Sequence, residues 1–117
     1  MNYMLLIMGS QDVEAPPDAA QNLMQQFMEY HKSVLDAGVH VDSNVLDSFE
    51  TATSVRVTEG GERLVTDGPF AETREYLGGY YILDLPDLDA AIEWAGRCPG
   101  ARVGRVEVRP VQEMAMP

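Results

Sequence analysis

Short apolar runs alternate along the chain with stretches of helical periodicity. The run Tyr3–Met8 is mostly apolar and too brief for a helix, which predicts a strand buried on both faces and therefore central in its sheet. Between Ala19 and Ala37 the apolar positions recur with helical spacing, and Gly38 supplies a C-terminal stop. The chain is therefore predicted to open with a central strand and an amphipathic helix.

The rest of the pattern predicts five further strands and a second helix. A Gly-Gly turn separates two β-rich runs, which is typical of a hairpin. The predicted elements are strand Val39–Leu46, hairpin strands Thr53–Thr58 and Arg63–Thr66, strand Tyr80–Leu85, helix Leu88–Arg97 and strand Arg102–Arg109. This order predicts an α+β fold, a ferredoxin-like sandwich whose antiparallel sheet carries two helices on one face.

Two helices cover only one face of such a sheet. The other face would remain apolar and open to water, which is unfavourable for a large continuous patch. We therefore expect a homodimer in which two copies meet through their uncovered faces.

Composition narrows the class of protein. The 117 residues fit one domain, 1–117, with a loose tail over 112–117. A formal net charge of -11 disfavours nucleic-acid binding, and no apolar run is long enough to predict a membrane span. The single cysteine, Cys98, predicts a reducing and hence cytoplasmic location, and it is interpreted as a packed thiol rather than a nucleophile.

His31 lies in the middle of the apolar stripe of the first helix, about 80° from Leu23 at ~100° per residue. One interpretation is a hydrogen-bonded core or interface histidine. The other is an acid or base that faces a cavity and pairs with Asp67. His40, at the start of the next strand, is expected to be exposed.

Asp67 opens a sharp Asp-Gly-Pro-Phe turn. The turn has a plain structural explanation, since Asp accepts backbone hydrogen bonds, Gly permits unusual φ and Pro fixes the bend. The alternative is that Asp67 projects into a cleft. The charged residues after it then form either surface ion pairs or a ligand site, with Arg74 gripping an anion and carboxylates acting as acid or base. The candidate ligand-binding residues are Phe70, Glu72, Arg74, Glu75, Tyr80 and Tyr81.

Tyr80 and Tyr81 are adjacent in a predicted strand, so their side chains point to opposite faces of the sheet. One is expected to face the helices and the other the partner subunit. For most of the aromatic residues, core packing is the alternative to lining a pocket.

The segment from Val65 to Glu75 (VTDGPFAETRE) closely resembles the signature of DGPF-domain proteins of the YCII-related family. The resemblance continues through Leu77–Ile82, Ala91–Ala95 and Val106–Pro110 and so spans nearly the whole chain. It implies a ferredoxin-like fold assembled as a dimeric α/β barrel. Many members are encoded beside extracytoplasmic-function sigma factors, which implies a regulatory or small-molecule role.

Three positions depart from the pattern of these relatives. Related proteins carry a His–Asp pair with its histidine near the start of the first helix, where this chain has Phe27. Asn44 stands near the place of a usual glutamate, and Arg74 replaces a usual lysine.

Two hypotheses follow for the function. The first is a small-molecule-binding or accessory regulatory homodimer without cofactor, possessing a small-molecule ligand or a sigma-factor partner. The second is a cofactor-independent enzyme that uses His31 or Asp67 as acid or base on a small organic substrate. His31, Asp67 and Glu72 match no metal-ligand spacing, so no metal is expected.

Overall fold

The computed structural model describes residues 1–10, 19–68 and 74–114 of the chain. Its strands are β1 (Asn2–Ser10), β2 (His40–Val45), β3 (Thr53–Val57), β4 (Arg63–Asp67), β5 (Glu75–Asp84) and β6 (Arg105–Pro110). Its helices are α1 (Ala19–Asp36), α2 (Leu88–Arg97) and the four-residue α3 (Gly100–Val103), with a 3-10 turn at Phe49–Thr51.

The main sheet has four antiparallel strands in the order β2-β5-β1-β6. β1 is central, as its continuous apolar run predicts, and its residue Leu5 pairs with Tyr81 on one side and Val108 on the other. With α1 and α2 packed against this sheet, the fold is the predicted ferredoxin-like α+β sandwich. The molecule is only 18 Å thick along its shortest axis, which fits one helix layer on one sheet.

The hydrophobic core lies between the sheet and the two longer helices. The fully buried side chains with the largest volume are Leu5, Leu83, Val34 and Cys98. Tyr30 of α1 joins the two longer helices, because its hydroxyl donates a hydrogen bond of 2.8 Å to the carbonyl oxygen of Trp94 in α2. The predicted packed role of Cys98 agrees with its burial, which also raises the pKa of its thiol.

The buried face of α1 is rotated from the one that the apolar stripe predicts. Met24 and Leu35, both expected on the stripe, are 68% and 51% exposed. Val34, another residue of the stripe, is fully buried as expected, and Tyr30, which the predicted stripe does not include, is buried beside it. Tyr30 turns inward because its ring fills the space between α2 and the sheet, where it meets Tyr81 edge-on at 5.4 Å between ring centres.

Two strand boundaries predicted from the sequence are wrong. β5 begins at Glu75 rather than Tyr80, because the Gly78-Gly79 segment continues the strand through a register shift opposite Ile7 and Met8. The last strand begins at Arg105 rather than Arg102. The preceding residues form α3 instead.

A second register shift, between His40 and Asp42 of β2, decides which side chains face the helices. His40 pairs with Leu83 and Ser43 with Tyr81, both of which are buried under the helices. An extra residue in a strand moves every following side chain to the other face. The bulge therefore puts His40 and Ser43 on the helix face, and the prediction that His40 is exposed is wrong, since it is half-buried.

β3 and β4 form the predicted hairpin, a two-stranded sheet separate from the main one. Its turn closes where Thr58 N–H donates to the carbonyl oxygen of Glu62 at 2.8 Å. Gly68, directly after β4, has a φ of +91°, a conformation that strongly favours glycine. Its N–H donates to the carbonyl oxygen of Ala52 at 2.6 Å, and its own carbonyl oxygen accepts from Ser54.

Several predictions fall outside the described residues. They concern Phe70, Glu72 and the end of the tail at 115–117. Of the rest of the tail, Gln112–Met114 lies outside any helix or strand.

Candidate functional site

An open cleft of about 870 Å³ lies between α1 and the end of the sheet where β1 and β2 finish and β5 begins. One wall comes from the first half of α1, through Leu23, Phe27 and Met28. The opposite wall comes from the sheet and includes Tyr76 and Tyr81. Three glycines, Gly9, Gly79 and Gly100, also belong to the lining, and neighbouring atoms pack against each of them too closely for a Cβ.

The walls of this cleft are mostly apolar, and no Asp, Glu, Lys or Arg is among the described residues that line it. Charged residues make up 23% of the whole chain, so their absence from so long a lining is distinctive. The lining residues with polar side chains are His31, Ser43, Asn44, Tyr76, Tyr80 and Tyr81.

His31 and Tyr81 form the polar contact at the inner wall. The Nδ1 atom of His31 lies 2.9 Å from the Tyr81 hydroxyl, within hydrogen-bond distance. Burial raises the pKa of Tyr81 to about 12, so its phenol keeps its proton at neutral pH. The two residues come from α1 and β5 and are brought together because both face the space between helix and sheet.

Whichever of the two atoms carries the shared proton, the pair keeps one hydrogen-bond donor that its mutual hydrogen bond does not use. If the Tyr81 hydroxyl donates to Nδ1, the neutral ring of His31 carries its proton on Nε2. If Nδ1 carries the proton and donates, the Tyr81 hydroxyl retains its own hydrogen. Because both side chains line the cleft, the pair can offer an N–H or O–H to a ligand.

A second polar pair lies next to the first. The Nε2 atom of His40 is 2.8 Å from the Ser43 hydroxyl, and its ring meets the His31 ring edge-on at 5.5 Å between centres. The His40 ring is also 6.2 Å from that of Tyr81. Two histidines, a tyrosine and a serine therefore form one polar cluster, here called the His31–His40 cluster, of which His31, Ser43 and Tyr81 line the cleft.

His31, the first candidate acid or base, is thus half-buried beside the candidate ligand residue Tyr81. The structure places the other candidate, Asp67, elsewhere. Asp67 is the exposed last residue of β4, paired with Thr53 in the separate hairpin. Within the described ranges, no hydrogen bond joins His31 to Asp67.

Arg74 and Glu75, the described members of the charged segment after Asp67, are exposed. Glu75 forms a two-pronged ion pair with Arg105 of β6, with Nε–Oε2 and Nη2–Oε1 distances of 2.6 and 3.1 Å. Hydrogen bonding from Arg105 lowers the pKa of Glu75. Glu107 also bonds Arg105, at 3.1 Å, so these groups form a surface network on the open face of the sheet.

Tyr80 and Tyr81 point to opposite faces, as the strand pattern predicts. Tyr81 faces the helices, whereas the Tyr80 hydroxyl donates to Asp42 Oδ2 at 3.0 Å and accepts from Asn44 Nδ2 at 2.8 Å. Asn44, which departs from the family pattern, therefore supports the tyrosine of the open face.

The described residues contain neither a cluster of metal ligands nor a membrane-spanning helix. Within residues 1–10, 19–68 and 74–114 no three His, Cys, Asp or Glu side chains are arranged to hold a metal ion. In the same part of the chain, no helix combines the length and the apolar character needed to cross a membrane.

Comparison with known proteins identifies the family. The model of the YCII-related domain matches residues 1–115 of the chain. The chain belongs to the YCII-related family. A similar protein is the "Uncharacterized protein R00369" of Rhizobium meliloti (strain 1021), which is 43% identical over 63 residues. That alignment covers 52% of this chain and 51% of the relative, so the matched region spans about half the length of each.

Sequence reasoning missed His40 and Ser43. In a regular strand, His40 would share a face with Asp42 and Asn44, away from Ser43. The available signal was a histidine three residues before a serine, a spacing that brings the two side chains together only across a bulge.

Proposed function

We propose that this YCII-related chain is a small-molecule-binding protein that works as a homodimer, with its ligand in the cleft between α1 and the sheet. The observation that carries the proposal is the cleft itself: an open, mainly apolar space of about 870 Å³ with the His31–Tyr81 pair at its inner wall. Binding sites for small organic molecules combine an apolar lining with a few convergent polar groups in this way.

The exposed apolar residues at the rim add support. Met24 and Met28 of α1 are each 68% exposed, and Val45 at the end of β2 is 93% exposed. All three belong to the lining of the cleft. Flexible methionines at a binding surface adapt to ligands of different shape, so this rim suits a guest that buries them.

Binding is tested with Nile red, an uncharged dye whose emission rises and shifts to the blue in apolar sites. We expect saturable binding of one dye per chain. Met28→Trp, which fills the cleft from α1, should weaken it at least about tenfold, a loss of about 1.4 kcal/mol. Ile92→Trp is the matched control, since Ile92 is 56% exposed on α2 and does not line the cleft. Equal effects of the two substitutions would refute binding in the cleft.

The homodimer is supported by the uncovered face of the main sheet. Across one row of this face the paired strands carry, in order, Asp42, Ile82, Met4 and Arg109. The row is acidic at one edge, apolar in the middle and basic at the other edge. A twofold axis parallel to the strands places β2 of one copy over β6 of the other. Asp42 of each copy then faces Arg109 of its partner, and Ile82 faces Met4.

The dimer is tested by sedimentation and by charge exchange. We expect a particle of twice the 12.9 kDa chain mass. Asp42→Arg or Arg109→Asp alone should weaken it, because like charges then face each other, and the double variant should restore it. A monomer at all concentrations, or a double variant weaker than both singles, would contradict the proposed face.

One observation favours the enzyme as a second candidate. His31 and the protonated phenol of Tyr81 lie side by side at the cleft wall, where a histidine can accept a proton while a phenol polarises a carbonyl oxygen. Acetophenone in D2O provides the test, since such a pair would exchange its methyl hydrogens for deuterium. Exchange faster than in buffer, lost in His31→Gln, would support the enzyme. Exchange at the rate seen in buffer would support binding alone.

Two finer features remain predictions from the sequence resemblance. They are membership of the DGPF branch and association with an extracytoplasmic-function sigma factor. Copurification of purified sigma factor with this chain, compared between the wild type and Met28→Trp, would test the second and show whether the cleft takes part.

A further inference from the structure

The chemistry of the cleft also indicates which class of molecule it binds, an inference that rests on the proposed function. The described lining has no ionic side chain. A phosphate or a second charge buried there would lose its hydration without gaining a Lys or Arg partner among the described lining residues, which is costly. The formal net charge of -11 also repels anions at longer range. The lining therefore disfavours polyanionic ligands such as nucleotides and sugar phosphates.

The shape and lining favour a flat apolar ligand. Phe27 from α1 faces the space from one side, while Tyr76 and Tyr81 of β5 face it from the sheet. Tyr76 is held in place because its ring stacks on Phe49, with 5.0 Å between ring centres and 30° between planes. Aromatic walls offer large, rigid contact areas to planar rings.

The polar wall adds one requirement. In each arrangement of their shared proton, His31 and Tyr81 retain an N–H or O–H beyond their mutual hydrogen bond. A ligand that reaches this wall without an acceptor would remove water from that donor and leave it unsatisfied, which is unfavourable. We propose that the cleft selects an uncharged, mainly aromatic molecule that carries one acceptor oxygen, such as a ketone, and that the oxygen binds the His31–Tyr81 pair.

Three probes of similar size separate the possibilities: 2-acetylnaphthalene, 2-ethylnaphthalene and 2-naphthoate. Their dissociation constants are measured by fluorescence titration of the full chain. We expect the ketone to bind about fivefold more tightly than the hydrocarbon, the factor that one net hydrogen bond contributes. We expect the carboxylate to bind more weakly than either. Equal binding of ketone and hydrocarbon, or tightest binding of the carboxylate, would overturn the inference.

Substitutions locate the selecting group. The double variant His31→Leu and Tyr81→Phe should bind the ketone and the hydrocarbon equally, because both donors are lost. Tyr30→Phe is the matched control, since its hydroxyl bonds the Trp94 carbonyl and Tyr30 does not line the cleft. It should keep the preference for the ketone. A preference that survives the double variant would place the acceptor contact elsewhere and overturn the assignment.

The two proposals fail in different ways. If none of the three probes binds, or if Met28→Trp changes no dissociation constant, the cleft is not a binding site and the proposed function fails with the inference. If all three bind in a way that Met28→Trp weakens but without preference for the ketone, the proposed function stands and only the ligand class is wrong. The probe series on the wild-type chain makes this distinction even if a variant does not fold.

Discussion

Buried tyrosines should make the folded chain sensitive to alkali. Tyr81 is only 7% exposed, and burial raises its pKa from 10.0 to about 12. Tyr30 is 5% exposed, and its pKa is also raised, chiefly by burial. Both phenols are therefore neutral in the folded chain at a pH where the same groups ionise in the unfolded chain.

The sign and the size of the change in the free energy of unfolding follow from this difference in ionisation between the folded and the unfolded chain. Below pH 10 Tyr81 is neutral in both states, and its contribution to stability is complete. As the pH rises from 10 to 12, the unfolded chain releases the proton and the folded chain does not, so the free energy of unfolding falls. At about 1.4 kcal/mol per pKa unit, Tyr81 alone accounts for a loss of about 2 kcal/mol by pH 12. Tyr30 adds a loss of the same sign, and the Cys98 thiol, whose pKa burial also raises, adds another that begins at lower pH.

Urea unfolding followed by far-ultraviolet circular dichroism between pH 8 and pH 11.5 measures this dependence. At pH 8 the free energy of unfolding of Tyr81→Phe should be about 1 kcal/mol below that of the wild type, because the hydrogen bond to His31 is lost. Its stability should then fall less steeply, because one titrating group is gone. Val34→Ala is the control, since it removes buried methyl groups but no phenol and should lower the whole profile without changing its slope. Parallel profiles for the wild type and Tyr81→Phe would refute the reasoning.

Three further predictions concern the fold. Leu83→Ala, at a fully buried position, should lower the free energy of unfolding in urea by about 2–5 kcal/mol. Leu88→Ala, at a position that is 50% exposed, should lower it by less than about 1 kcal/mol. Asp87→Ala should cost about 1 kcal/mol and loosen the start of α2 in hydrogen exchange, because the Asp87 side chain accepts from the N–H of Ala90 at 2.9 Å. Gly38→Ala should lower stability by about 1 kcal/mol in the same unfolding assay, since φ is +73° there after α1; no loss would contradict that strain.

The sequence was sufficient for the fold because each main element has a strong local signal. The apolar run of β1 predicted a central strand, and the Gly-Gly turn predicted the hairpin, both of which the structure confirms. The short α3 had no such signal. Four residues are too few to show helical periodicity. The position after α3 is occupied by Gly104 because the Met8 carbonyl oxygen lies too close there for any Cβ.

The cleft was harder to predict because it depends on how elements meet. His31 was identified correctly as a polar residue facing the sheet, but its partner depends on the rotation of α1, which brings Tyr30 inward, and on the position of Tyr81 across the gap. His40 entered the cluster only through the bulge in β2. A single sequence records neither the rotation of a helix nor an extra residue in a strand, since both arise from packing between distant segments.

The hairpin that ends at Asp67 provides a further test of the proposed homodimer. Asp67 ends the hairpin strand β4, and the apolar side chains of Val55, Val57 and Val65 in the same hairpin are each about 60% exposed. An isolated two-stranded hairpin is only marginally stable in water, so a surface that covers these valines would stabilise it. If the homodimer supplies that surface, the hairpin that ends at Asp67 is held by the partner as well as by its own chain. Ile82→Lys, which should weaken the dimer through the open sheet face, should then also accelerate hydrogen exchange in β3 and β4; unchanged exchange there would show that the hairpin is ordered without a second copy.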